Sequence, residues 1–146
     1  TTPNYAWITP DVCNDMHDCQ ISVGDTWLKN NLPAIFSSPA WTTQKSVLLL
    51  TWDEGSTNHV ATLAIGPSVR AGYQSSAAYN HYSLLKTIQD LLKITTPLGY
   101  AAHRTDFGPT IFPSEGGGGT SASMCKPTLS TTALVMRPMG RRGSWS

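Results

Sequence analysis

Charge is scarce in this sequence. Only 13% of its 146 residues are Asp, Glu, Lys or Arg, about half of the roughly 25% found in an ordinary soluble protein. That shortage weighs against a disordered chain and against a coiled coil. It also weighs against a basic nucleic-acid binder, and a net charge of +1 gives no reason to expect a polyanionic partner. Long apolar runs are missing as well. None approaches the ~20 residues that a membrane span needs, so no transmembrane segment is expected. Cysteine is sparse, at three residues, and no pair has the C-x-x-C spacing of a redox motif or zinc knuckle. The sequence opens on Thr1-Thr2-Pro3 without Met or a signal peptide. It reads as a mature or excised segment with an upstream region missing.

The charge that is present is unevenly placed. Residues 1–69 set Lys29 and Lys45 against Asp11, Asp15, Asp18, Asp25, Asp53 and Glu54, whereas residues 70–146 are net basic. An acidic half with His17 and His59 close by suits a hard or borderline cation, or else forms a solvated acidic face. Cys13 and Cys19 bracket Asn14-Asp15-Met16-His17-Asp18. They read as a short disulfide-closed loop, which implies an oxidising, secreted or extracellular setting, or as two free thiols.

Tyr5-Ala6-Trp7-Ile8-Thr9 is aromatic and β-branched and ends at Pro10, so it reads as a strand. Gly24-Asp25 opens a helical pattern through Trp27, Leu28, Leu32, Ile35 and Phe36, with Pro33 expected to kink it or begin a second short helix and Ser37-Ser38-Pro39 to end it. Residues 46–52 form an apolar run that fits a strand buried on both faces, and 60–65 form a second. Residues 82–92 carry Leu84, Leu85, Ile88, Leu91 and Leu92 on one helical stripe, with Asn80 as the cap. Strands alternating with amphipathic helices indicate an α/β domain over residues 1–106. Residues 107–146, with the run Gly116–Gly119, lack periodicity and read as a linker and disordered tail.

Two polar clusters each follow an expected strand end, where such sheets collect their chemistry. The first is Asp11, Asp15, His17 and Asp18. It reads equally as a metal-ligand loop and as turn chemistry, because Asp and Asn fold their side chains onto a turning backbone. The second is Thr51-Trp52-Asp53-Glu54-Gly55, then His59. Adjacent carboxylates at the mouth of a strand are costly to bury unless paired or metal-bound, and the glycine permits a turn that returns His59 toward them. The alternative is a solvated acidic turn.

The segments Pro3-Asn4-Tyr5-Ala6-Trp7-Ile8-Thr9-Pro10-Asp11 and Asn14-Asp15-Met16-His17-Asp18-Cys19 resemble the phosphoesterase family of bacterial acid phosphatases and phospholipases C, in the alkaline phosphatase superfamily. Gly24-Asp25-Thr26-Trp27-Leu28, Leu50-Thr51-Trp52-Asp53-Glu54-Gly55, Asn58-His59-Val60 and Tyr79-Asn80-His81-Tyr82-Ser83-Leu84-Leu85 continue the likeness in order over about residues 3–100. It is greatest to the secreted branch containing phosphatidylinositol-3-phosphatases. The resemblance implies a three-layer α/β/α sandwich, of which this chain is the C-terminal half. It implies a divalent ion, with Zn, Mg, Mn, Ca and Fe all open. Asp53 and Glu54 stand at the metal-ligating acidic pair, and Asp11, Asp15 and His17 occupy the preceding ligand loop. His59 stands where a metal- or phosphate-contacting histidine falls. His81 faces the substrate site or serves the helix start.

The implied substrate is a phosphate ester, a phosphoinositide or other phospholipid included. The implied reaction is phosphomonoester hydrolysis. A phospholipase C-type phosphodiesterase and a non-catalytic metal-binding fragment are the alternatives. No segment of 1–146 matches the family's Thr or Ser nucleophile.

Overall fold

A computed structural model of the chain describes residues 2–113 and 131–136, the last six by their backbone only. The chain divides into two compact units, Thr1–Ser46 and Val47–Ser146.

The first unit begins with residues 2–10 outside any strand. This corrects the strand expected at Tyr5–Thr9. The physical reason is the ladder: aromatic and β-branched residues favour a pleated surface, but a strand exists only when its backbone groups have a partner. None of the described strands pairs with this segment, and Trp7 and Ile8 stay 66% and 60% exposed. The first helix, α1 (Ile21–Phe36), starts before the expected Gly24 and has no side-chain cap at Gln20. Pro33 lies inside it. It removes one donor from the last turn, and Ser37 N–H closes the helix on the Pro33 carbonyl at 3.0 Å. A further helix, α2 (Pro39–Thr43), follows the expected stop. Proline at its first position needs no donor, and Ser38 Oγ accepts from Trp41 N at 3.2 Å. Phe36 and Trp41 rings meet at 4.9 Å between centroids, packing the two helices together.

The second unit contains the sheet. Strand β1 (Leu48–Thr51) pairs antiparallel with β2 (Val60–Ile65), in the register Leu48 to Ile65 and Thr51 to Thr62. The connection 52–59 is too short for the crossover that parallel neighbours require, so antiparallel pairing follows from its length. β1 is half-buried throughout, not buried on both faces as its apolar run suggests. β2 lies where expected and buries Val60, Thr62, Ala64 and Ile65. Strand β3 (Gln74–Tyr79) has no apolar pattern and was not anticipated. Helix α3 (His81–Leu91) has the expected cap: Asn80 Oδ1 accepts from Tyr82 N at 3.0 Å and Ser83 N at 3.1 Å. A short helix, α4 (Gly108–Ile111), follows. Strand β4 (Thr131–Met136) lies between β2 and β3, antiparallel to the first and parallel to the second. The architecture is therefore mixed helix and strand, as expected, around a small and mainly antiparallel sheet.

The core is formed by Val60, Ala64, Val69, Tyr79, Leu84, Phe107 and Ile111. It extends past residue 106, where the sequence pattern fades: Phe107 and Ile111 are 1% and 0% exposed. The tail expected over 107–146 contains α4 and β4, while Gly116–Gly119 and Cys125 fall outside the described residues. Thr87 secures the late core segment to α3. Its hydroxyl donates to Ser83 O at 2.8 Å and accepts from Phe107 N at 2.8 Å, all buried. Tyr79 and Phe107 pack edge to face at 4.9 Å.

Thr87→Val keeps the shape and removes the acceptor, leaving the Phe107 N–H buried without a partner. The expected loss is about 1–3 kcal/mol of stability. Urea unfolding of the two proteins measures it, and Thr87→Ser is expected to recover most of the loss.

Candidate functional site

The carboxylates singled out in the sequence occupy two places, each built within its own unit. In the first unit, Cys13 and Cys19 form a disulfide with Cα atoms 4.8 Å apart. The cross-link closes a loop over Asp15 and His17, as the spacing suggests. Just before it Asp11 folds back on the chain. Its Oδ1 accepts from Cys13 N and Asn14 N, both at 3.0 Å, and its Oδ2 accepts from Asn14 Nδ2 at 2.7 Å. The Asp11 carbonyl accepts from Asp15 N at 2.9 Å. Asp15 Oδ1 in turn accepts from His17 N at 2.8 Å. Turn chemistry, one of the two readings of this cluster, describes what these groups do here.

Asn14 is the residue sequence reasoning passed over, although an Asn three positions after an Asp is the signal of such a turn. Its two N–H groups and the Cys13 N–H hold the Asp11 carboxyl below the usual carboxylate range. The loop lies close against Gly24 of α1. A Cβ there would lie 2.9 Å from the Asn14 carbonyl and closer still to the Met16 side chain.

In the second unit, Asp53 and Glu54 leave the end of β1 in the connection to β2. Both are exposed, as is His59. The chain turns through Gly55, then a single helical turn at Ser56–Asn58 in which Thr57 and Asn58 have left-handed φ of 56° and 61°. Asn58 N donates to Gly55 O at 3.1 Å, and His59 N to Ser56 O at 3.3 Å. Gly55 is required by space. A Cβ on it would lie 3.0 Å from the His59 carbonyl carbon and nearer still to its oxygen. Gly55 thus packs against the His59 main chain, and with Asp53, Glu54 and His59 all exposed the connection has the form of a solvated acidic turn, the alternative reading of this cluster. At the strand end, Thr51 and Thr62 hydroxyls share a hydrogen bond of 2.8 Å.

Asp53 Oδ1 accepts from Glu54 N at 3.0 Å. Among the described residues no donor reaches the Glu54 carboxylate. His81, the first residue of α3, places Nε2 2.7 Å from the Asp53 carbonyl oxygen. Capping of α3 is done by Asn80, so His81 is not occupied by that task. Asp53, Glu54 and His59 share one connection, and His81 reaches that connection through the Asp53 carbonyl.

Adjacent exposed carboxylates are the donor chemistry of a hard or borderline divalent ion, which takes oxygen ligands and leaves positions for water or phosphate. Among the described residues no group of three or more His, Cys, Asp or Glu side chains is placed to hold a metal. Asp53 and Glu54 are oxygen donors of that chemistry, and among the described residues they do not by themselves make up a ligand shell. No described helix is long and apolar enough to cross a membrane.

A model of the Phosphoesterase family matches residues 1–95. The chain is 34% identical over 105 residues to "Phosphatidylinositol-3-phosphatase" of Mycobacterium tuberculosis, covering 69% of this chain and 33% of that protein. It is 32% identical over 93 residues to "Phosphate-repressible acid phosphatase" of Penicillium chrysogenum, covering 59% of this chain and 22% of that one. It is 29% identical over 93 residues to "Acid phosphatase" of Aspergillus niger, with 59% and 22% covered. The chain therefore spans a third or less of the length of these curated relatives. No solved structure matches it.

Two outcomes are expected of these turns. Gly55→Ala forces a side chain into the His59 carbonyl, so the connection must move. A loss of about 1–3 kcal/mol is expected, with shifted amide resonances at Glu54 and His59 in a heteronuclear NMR spectrum. The second concerns pH. A carboxyl held low by hydrogen bonds stabilises its loop above its unfolded pKa and ceases to do so as pH falls through the lower folded value. The Cys13 and Asn14 amides are therefore expected to hold their positions from neutral pH down past the usual carboxylate range and to shift only below it. Asp11→Asn is expected to abolish that transition.

Proposed function

The chain belongs to the phosphoesterase family, and from that premise we propose that it is part of a metal-dependent hydrolase of phosphate monoesters. The observation that carries this reading is the acidic pair Asp53–Glu54, set exposed at the end of β1 by the Gly55 turn within the family-matched residues. The names of the relatives, a phosphatidylinositol-3-phosphatase and acid phosphatases, favour a phosphomonoester, a phosphoinositide headgroup among them. The parent fold is proposed to be the three-layer α/β/α sandwich. The disulfide supports a secreted setting, because such bonds persist in oxidising compartments.

In this reading Asp53 and Glu54 supply two carboxylates to a divalent ion, and His59 lies on the same connection to contact phosphate. Asp15 and His17 are the corresponding donors proposed for the disulfide loop. Asp11 orders that loop through the Asn14 and Cys13 amides. A bound divalent ion would neutralise phosphoryl oxygens and lower the pKa of a hydroxyl or water. The chain's own contribution is placement: two adjacent carboxylates and an imidazole on one connection. Phosphoryl transfer asks for little else beyond positioning and charge stabilisation. No Thr or Ser of this chain matches the family's nucleophile motif, so the attacking group is assigned to a part of the enzyme other than residues 1–146.

Titration with Mn²⁺ is expected to broaden the NMR amide signals of Glu54, Gly55 and His59 first. Asp53→Ala is expected to remove that broadening while the chain stays folded. The 146-residue chain by itself is expected to hydrolyse no p-nitrophenyl phosphate with Mn²⁺, Zn²⁺, Mg²⁺ or Ca²⁺ present. Turnover would place the nucleophile within the chain, and broadening that survives Asp53→Ala would remove the acidic pair from the metal.

A further inference from the structure

The connection bearing the acidic pair is fastened at its far side by His81 of α3. The imidazole Nε2 lies 2.7 Å from the Asp53 carbonyl oxygen, across 28 positions of sequence. A carbonyl oxygen can only accept, so Nε2 must carry the proton. This defines the ring: in neutral His81 the proton is on Nε2, and Nδ1 is an acceptor. It also removes Nε2 from the atoms that could meet a phosphate, because its proton is already given to Asp53.

Asn80 caps α3 through Tyr82 N and Ser83 N, so the helix start is complete without His81. Nothing in the helix requires an imidazole at this position. What the imidazole does reach is the main chain of the acidic pair.

We infer that His81 is a positioning residue, which uses its Nε2–H to hold the Asp53 carbonyl and so fixes the direction in which Asp53 and Glu54 present their carboxylates to a divalent cation. The bond grips the main chain of Asp53 and leaves its side chain to a ligand. With Gly55 seated against the His59 carbonyl on the other side, the acidic pair is fixed from both directions. This inference rests on the proposed metal role of the pair. Groups that orient metal ligands without touching the metal are typically worth 10–100-fold in affinity.

The test uses the whole chain with His81→Ala and His81→Gln, the glutamine amide being able to donate to the same carbonyl. Long-range ¹H–¹⁵N spectra of the wild-type ring are expected to show the Nε2–H tautomer. Mn²⁺ affinity at Glu54 and Gly55 is expected to fall about 10–100-fold in His81→Ala and to return toward wild type in His81→Gln. The α3 amide shifts beyond Tyr82 are expected to stay in place in both. An Nδ1–H tautomer, or Mn²⁺ affinity untouched by His81→Ala, overturns the inference while leaving the metal reading of Asp53 and Glu54 intact. A wild-type chain with no Mn²⁺ affinity overturns that metal reading, and the positioning role with it.

Discussion

The close approach of Gly55 to the His59 carbonyl determines the shape of the second unit's polar edge. Because no Cβ fits between them, the chain can leave β1 and re-enter β2 over only a few residues. That short return makes the two strands antiparallel and sets Leu48 opposite Ile65. Pairing of Thr51 with Thr62 then brings two hydroxyls together at the strand ends. The acidic pair sits just beyond that bond, outside the ladder and in solvent, where its charges carry no burial cost. A larger residue at position 55 would open the connection, and the placement of Asp53, Glu54 and His59 would be lost together.

The first unit solves a comparable problem by a different route. Its cluster carries three carboxylates against two, but it is held by a covalent link between Cys13 and Cys19 and by spending Asp11 on its own backbone. A carboxylate with three local donors is strongly satisfied. It is a poor choice as a leading ligand, since every bond to a cation competes with Asn14 and Cys13. Asp53 and Glu54 differ in that one backbone amide is their only described donor. Like charge in the sequence therefore conceals unequal availability in the fold.

What could be read from the sequence divides along the range of the forces involved. The Asn80 cap, the stripe of α3, the β2 segment, the disulfide and the Gly55 turn depend on neighbours a few residues away, and each was legible. Tyr5–Thr9 has strand composition but lacks a described ladder partner, and composition cannot supply one. β3 was hidden because Gln74–Tyr79 has no apolar run. Its strand character comes from pairing with β4. Phe107 and Ile111 are isolated apolar residues in a Gly- and Pro-containing stretch. Their burial comes from packing on Val60, Ala64, Val69, Tyr79 and Leu84, far earlier in the chain, and no local period announces it. The α1 start at Ile21 was misplaced because Gln20 offers no side-chain cap to read. The family likeness reached further than periodicity did, because it compares residues in order across the chain and not within a window.

The contact between His81 and Asp53 is the case in which both kinds of information were needed. The motif marked His81 as functional or structural without choosing, and the helix pattern favoured a role at the helix start. The structure separates the two tasks between neighbouring residues. Asn80 satisfies the amides of the first helical turn, and His81 turns to a carbonyl on another element. A donor fastened to a main-chain oxygen constrains where a side chain begins without competing for its charge. That division lets a carboxylate be held in place and still be available to a cation, which a direct bond from the imidazole to the Asp53 carboxylate would not allow.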